Sequence, residues 1–272
     1  MSGARAGSSL ILDRDGPIVT LTMNRPERGN SLSLDMVGRL AAAWELVDGD
    51  PDILCVILTG AGPRYYCTGG DLATGWMAAG YVPSSDAERQ VIEEPGRIGK
   101  ALLLTYWLRT PLIAAVNGAC LGGGCEMLQQ TDIRVGEEHA TFALPETGRG
   151  LIPAAGSTMR LKRQLPYAIA MEMLLTGRQL DAEEALRWGL INHVVPAGHG
   201  LAKARRLAEM ICAKGPLAMA ATKASAVETG WLAESVAQPI EAGYAQVVTR
   251  SADAKEGMAA FVEKRPPRFT GQ

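Results

Sequence analysis

Residues 111–130 read PLIAAVNGACLGGGCEMLQQ: an apolar run, a glycine-rich turn and the opening of a helix. Leu112–Val116 is apolar without alternation, the pattern of a strand buried on both faces. Asn117-Gly118 ends it. Gly122-Gly123-Gly124 follow, and a helix is expected from near Gly123. With no Cβ there, backbone N–H groups stand unshielded at a helix N-terminus, where the first N–H groups lack intrahelical partners. Such a place receives negative charge. Permanent charge would make it a phosphate site, and charge that develops during reaction would make it an oxyanion site. A third reading is purely structural, with the glycines permitting close helix–strand packing. A P-loop would continue Gly-Lys-Ser/Thr, whereas here Cys125 and Glu126 follow. A carboxylate one turn into the helix repels phosphate and suits proton transfer beside an enolate.

The same organisation recurs on either side. Ile53–Thr59 (ILCVILT) is another continuous apolar run, closed by Gly60–Gly62. A second glycine-rich loop, Thr68-Gly69-Gly70-Asp71, comes next, with Asp71 placed to cap a short helical stretch. Ile133–Val135 reads as a third buried strand. Upstream, Ser9–Asp13 and Ile18–Met23 flank an Asp15-Gly16-Pro17 turn and predict a hairpin. Ser33 then caps a helix whose apolar positions Leu34, Val37, Leu40, Ala41, Trp44 and Val47 keep helical spacing. Strand, turn and helix alternate through the first two-thirds, so the class is α/β. After residue 155 the chain reads as helices at 157–164, 167–176, 181–188, 201–213, 217–228, 232–249 and 252–262. The expected organisation is a disordered 1–8, a core over 9–196 and a helical C-terminal region over 197–272.

Composition narrows the function classes. A chain of 272 residues with 47% hydrophobic content can bury a full core. A net charge of −2 carries no nucleic-acid footprint. The five cysteines (55, 67, 120, 125 and 212) lack framework spacing, and His139, His193 and His199 are too scattered for a metal site. The opening MSGARAGSSL has no apolar signal region, and no window reaches the ~20 apolar residues of a membrane span. A cytoplasmic protein with no membrane partner is expected.

Two glutamates stand out. Glu126 follows the glycine turn, and Glu146 sits in Ala143-Leu144-Pro145-Glu146 before a Thr-Gly-Arg-Gly-Leu-Ile-Pro loop. No single helix joins them, but if the fold brings them together one pKa rises and acid and base roles divide. There is no G-x-S-x-G elbow and no convincing Ser/His/Asp set. Cys67 and Cys125 read better as buried small residues than as nucleophiles.

These features together resemble the crotonase superfamily, the enoyl-CoA hydratase/isomerase family, over roughly residues 10–270. The resemblance rests on MNRPERGNSLSLDM (23–36), YYCTGGDL (65–72), AAVNGACLGGGCE (114–126), FALPETGRGLIPAAGSTMRL (142–161), TGRQLDAEEALRWGLINHVV (176–195) and EGMAAFVEKRPPRF (256–269), in family order. It implies a spiral of ββα units with a C-terminal helical region used in trimerisation, as a homotrimer or a dimer of trimers. By position, the backbone N–H groups of Gly70 and Gly123 would form the oxyanion hole for an acyl-CoA thioester. Glu126 and Glu146 would handle the protons. Thr68, Asp71, Leu72, Gly122, Pro145 and Leu151 would lie along the substrate, with Arg25 and Arg28 as CoA contacts. Phe261 and Lys264 match a segment that reaches CoA, often in a neighbouring subunit. No separate cofactor is implied, since coenzyme A is part of the substrate.

The implied activity is hydration of a trans-2-enoyl-CoA to a 3-hydroxyacyl-CoA, as in β-oxidation. The alternatives are isomerisation or dehydration of a specialised hydroxyacyl-CoA on the same scaffold, and non-catalytic acyl-CoA binding. One departure lies in the loop after Glu146. The family's Pro-Gly-x-Gly-Gly is here Pro153-Ala154-Ala155-Gly156-Ser157. Ala154 is expected to restrict a backbone position where positive φ is wanted and to narrow whatever it faces, while Arg149 adds a bulky charge nearby.

Overall fold

The structure is a computed structural model that describes residues 8–76, 80–94 and 96–272. In chain order its strands and helices are β1 (Leu10–Asp15), β2 (Ile18–Met23), α1 (Leu34–Gly49), β3 (Cys55–Gly60), β4 (Tyr65–Cys67), α2 (Asp86–Glu93), α3 (Arg97–Ala101), β5 (Leu112–Val116), β6 (Ala119–Leu121), α4 (Gly123–Leu128), β7 (Ile133–Glu137), β8 (Thr141–Ala143), α5 (Ser157–Gln164), α6 (Tyr167–Thr176), β9 (Leu180–Asp181), α7 (Ala182–Arg187), β10 (His193–Val195), α8 (Gly200–Cys212), α9 (Pro216–Thr229), α10 (Glu234–Thr249) and α11 (Ala252–Glu263).

The strands form two sheets. One runs β1-β2-β3-β5-β7-β10 and the other β4-β6-β8-β9. In the first, β1 and β2 make the expected hairpin and the remaining neighbours are parallel. Three strands of the first sheet are each followed by a tight turn and a short strand of the second: β3 by β4, β5 by β6 and β7 by β8. This is the ββα spiral. The second sheet is the part the sequence reading did not see. Its strands are two or three residues long, too short to show a period.

The continuous apolar runs in β3 and β5 have a direct cause. Val56, Leu58, Leu112, Ala114 and Val116 face the main core, which contains α1. Their alternates Cys55, Ile57, Ile113 and Ala115 face Ala204 and Ala208 of α8. Side chains alternate across a strand, so covering both faces demands apolar residues at every position. The C-terminal region therefore begins with a helix that is part of the core packing. By contrast α9 and α10 bury no residue, and α9 is tied down by Lys223, whose Nζ donates to Thr110 O (2.8 Å) and pairs with Asp132 (2.7 Å).

Helix α1 begins as expected: the Ser33 hydroxyl accepts the Met36 N–H at 3.3 Å. Its inward face includes Trp44, fully buried, whose Nε1 donates to Ala101 O at 3.0 Å and so anchors α3. Replacing Trp44 with Ala would cost about 3–5 kcal/mol in cavity and transfer terms. Of the expected disordered N-terminus, residues 1–7 lie outside the described residues, as does the expected kink point Pro95. Ser8 is held in place by Asn24, whose Nδ2 donates to its carbonyl at 3.0 Å.

Candidate active site

The two glycine-rich loops meet. The chain after β4 is laid against residues 29–32 by Thr68 N–H to Gly29 O (3.1 Å), Leu32 N–H to Gly69 O (2.8 Å) and Asp71 N–H to Leu32 O (3.1 Å). Gly69 has φ 87, and a Cβ there would lie 2.9 Å from Gly123 N and 3.1 Å from Leu121 O. Only glycine permits both the conformation and the approach. The idealised Cβ position of Gly123 is 3.8 Å from Gly70 N, so the two amides are neighbours. Among the described residues neither the Gly70 nor the Gly123 N–H donates to a protein acceptor. Gly124 shows that the packing reading also holds, because a Cβ there would come within 2.5 Å of Cys67 O.

The loops open into a cavity of about 1130 Å³. Arg28, Thr68, Gly70, Asp71 and Leu72 line it from one side, and Gly122, Gly123, Glu126, Pro145, Glu146 and Leu151 from the other. Trp76, Tyr81, Ile92, Ile98, Leu102 and Leu104 add an apolar wall that sequence reasoning did not assign. Three expected contacts are not brought there. Arg25 turns inward, donating to Ser31 O (2.7 Å) and pairing with Asp71 (2.8 Å). Phe261 lies on α11, 85% exposed, and Lys264 terminates that helix with φ 54; neither lines the cavity.

Asp71 does not cap the turn that follows it. Its carboxylate is instead shared between Arg25 and Arg28, the latter at 3.2 Å. Burial pushes its pKa up, but the hydrogen bonds and charges of the two arginines outweigh this and hold it below the ordinary carboxylate value. Ala154 also departs from expectation. It lines the cavity without a positive φ, and the left-handed residue of that loop is Gly156 (φ 114).

Glu126 and Glu146 share the cavity although β7 and β8 separate them in sequence. Glu126 is 5% exposed. Burial, and secondly the charge of Glu146, raise its pKa to about 7, opposed by the Ser157 and Ala155 N–H groups and the Ser157 hydroxyl. The Ser157 N–H lies 3.4 Å from Oε1 of Glu126, and the Ser157 hydroxyl accepts from Gln129 Nε2 at 2.7 Å. Burial also raises Glu146, opposed by Arg149. Glu146 Oε2 is buried with no hydrogen-bond partner among the described residues. Ser157 and Gln129 were missed in the sequence, where only the unusual serine after Gly156 marked the position.

Cys67 and Cys125 are buried, and burial pushes the Cys67 thiol up to about 12, which removes it as a nucleophile. Among the described residues no cluster of His, Cys, Asp and Glu side chains gathers as a metal site. Two adjacent free N–H groups and two carboxyls of raised pKa lining one cavity can polarise a carbonyl oxygen and move protons on nearby carbons.

Residues 13–272 match the family model described as enoyl-CoA hydratase/isomerase. The chain belongs to that family, within the crotonase superfamily, and is an enzyme of hydro-lyase type. It is 46% identical over 269 residues to the enoyl-CoA hydratase EchA19 of Mycobacterium tuberculosis, covering 99% of both chains. It is 37% identical over 274 residues to the carnitinyl-CoA dehydratase of Salmonella typhi, covering 97% of this chain and 99% of that one. A Mycobacterium abscessus structure assigned to the enoyl-CoA hydratase/isomerase family superposes with TM-score 0.88 at 56% identity, covering 97% of this chain and 100% of the other. An acyl-CoA thioester substrate fits this membership, and no helix among the described residues is long and apolar enough to cross a membrane.

Proposed function

We propose that the protein is an enoyl-CoA hydratase that adds water reversibly and syn across the C2–C3 double bond of a trans-2-enoyl-CoA. The water oxygen bonds to C3, the displaced electron pair moves onto the thioester oxygen, and a proton then returns it to C2. The Gly70 and Gly123 N–H groups hold the oxygen while it is negative. Glu126 and Glu146 take the proton from water and supply the proton to C2. The observation that carries this reading is one cavity lined by Glu126, Glu146 and the free Gly70 and Gly123 amides, with burial and Glu146 pushing the Glu126 carboxyl up to about 7. Such a group holds or releases a proton at neutral pH with little driving force wasted.

Thr68, Leu72, Gly122, Pro145 and Leu151 line the substrate path, with Arg28 at its CoA end. Phe261 and Lys264 would act only through a neighbouring subunit. The exposed apolar residues of the C-terminal helices, Val247, Met258, Phe261 and Val262, support a homotrimer or a dimer of trimers. The setting proposed is cytoplasmic acyl-CoA metabolism of the β-oxidation type, with no cofactor beyond the CoA of the substrate.

The test is loss of the conjugated-thioester absorbance with crotonyl-CoA and longer enoyl-CoAs. Absence of turnover at every chain length sinks the reading. The similarity to a carnitinyl-CoA dehydratase supports a second reading, dehydration of a specialised hydroxyacyl-CoA. Isomerisation would need only one carboxylate. It is distinguished by finding one essential glutamate and no solvent oxygen at C3. Binding without chemistry is disfavoured by the two glutamates, and would show as tight CoA binding with no turnover.

A further inference from the structure

Behind Glu126 lies a buried cation that the reaction as described does not use. Arg160, on α5, is 9% exposed, and no carboxylate among the described residues reaches ion-pair distance of it. Its hydrogen bonds all go to main-chain carbonyls. Nη1 donates to Ala155 O at 3.2 Å, and Nη2 donates to Leu104 O at 3.3 Å and Leu103 O at 3.5 Å. Gly156 packs closely against the guanidinium, since a Cβ at that residue would sit 2.2 Å from Nη1. Burial lowers the Arg160 pKa, and the charge of Glu126 raises it.

The groups it joins are functional walls. Leu102 and Leu104 line the cavity on one side of Arg160, and Ala154 and Ala155 on the other. Leu103, between the two leucines, holds a left-handed conformation (φ 54) that a leucine does not favour. Its carbonyl accepts from both Arg160 and Gln130 Nε2 (2.6 Å), which compensates the strain. The Ala155–Ser157 turn carries the N–H groups that face the Glu126 carboxylate. The other groups acting on that carboxyl are Glu146 and the Ser157 hydroxyl, with Arg149 acting on Glu146.

We propose that Arg160 is a positioning residue for proton transfer at Glu126. Its planar fork ties the 155–156 turn to the Leu103 and Leu104 carbonyls, fixing the donors that face Glu126. A lysine offers a point charge in place of that fork. This inference rests on the hydratase reading above for its kinetic part only.

The experiment measures the pH dependence of hydration by wild type, R160M and R160K, together with a 13C NMR titration of the Glu126 carboxyl in each. In R160M, kcat should fall by about 100-fold, the effect of a small misplacement of a reacting group. KM should change little, and the Glu126 midpoint should rise. R160K should move both in the same direction by less. An R160M enzyme with wild-type kcat and an unmoved midpoint overturns the proposal. If R160M does not fold, R160K decides, and wild-type kcat and midpoint there overturn it. If wild type hydrates no enoyl-CoA, the hydratase reading fails by itself and the NMR midpoint alone judges Arg160.

Discussion

Replacing Glu126 with Gln should make the protein more stable at neutral and alkaline pH while disabling it. In the unfolded chain the carboxyl titrates near its ordinary 4.5, and in the fold at about 7. Between these values the folded protein holds a proton that the unfolded chain has lost. Stability therefore falls as pH rises through that window, and the loss is complete above the folded value. At about 1.4 kcal/mol per pKa unit the full penalty is about 3 kcal/mol, and with the side chain buried solvent screening takes little from it. Glu126→Gln removes the titration. Urea melts of wild type and variant should agree near pH ~4, where the carboxyl is neutral in both states, and differ by about 3 kcal/mol near pH ~8, with the variant the more stable. In the same variant kcat should drop roughly 10²–10⁴-fold. Glu146→Gln provides the control, since removing its charge should lower the Glu126 midpoint. A stability difference that is flat across pH would show instead that the fold does not hold Glu126 in its protonated form.

Gly69→Ala forces a left-handed residue with a Cβ 2.9 Å from Gly123 N. It should cost about 1–2 kcal/mol in the melt and, by displacing an oxyanion donor, about 100-fold or more in kcat. Asp71→Asn leaves the inward-turned Arg25 without its carboxylate and should destabilise by about 3 kcal/mol, the low end for breaking a buried pair since Arg28 is more exposed. Because Asp71 is held below its ordinary pKa of 3.8, its contribution is present at neutral pH and fades only as pH falls below that value, so the wild-type advantage should vanish in acid melts. Ser157→Ala deletes the hydroxyl between Gln129 and Glu126. It should cost about 1–3 kcal/mol through one Gln129 N–H left unpaired, the other still donating to Cys125 O, and move the Glu126 midpoint, with the limb of kcat/KM that it sets, to higher pH.

The departures in the loop after Glu146 take on meaning from these contacts. Ser157 stands where the family carries a glycine, and its hydroxyl joins the polar surroundings of Glu126. Ala154 and Ala155 contribute methyl groups to the cavity wall without backbone strain. The place that needs glycine is Gly156, whose φ of 114 a side chain disfavours and against which the Arg160 guanidinium packs.

Features with a local pattern were legible in the chain. The apolar runs of β3 and β5 announced strands covered on both faces, and the spacing from Leu34 to Val47 with Ser33 in front announced α1. Glycines after buried strands announced open amides, and the motif order announced the family. Tertiary structure decided what depends on distant segments meeting. The second sheet exists only because strands of two or three residues find partners across the spiral. Arg25 looked like a ligand contact, yet Asp71, brought beside it by the Leu32–Gly70 bridge, captures it. Arg160 lies within the 142–161 motif, but its role was not legible there, because two of the three carbonyls it binds, those of Leu103 and Leu104, belong to a distant segment. Glu126 and Glu146 were legible as residues, but their raised pKa values were not. The burial that raises both, and the charge of Glu146 that further raises Glu126, are properties of the assembled cavity, and no stretch of chain carries them alone.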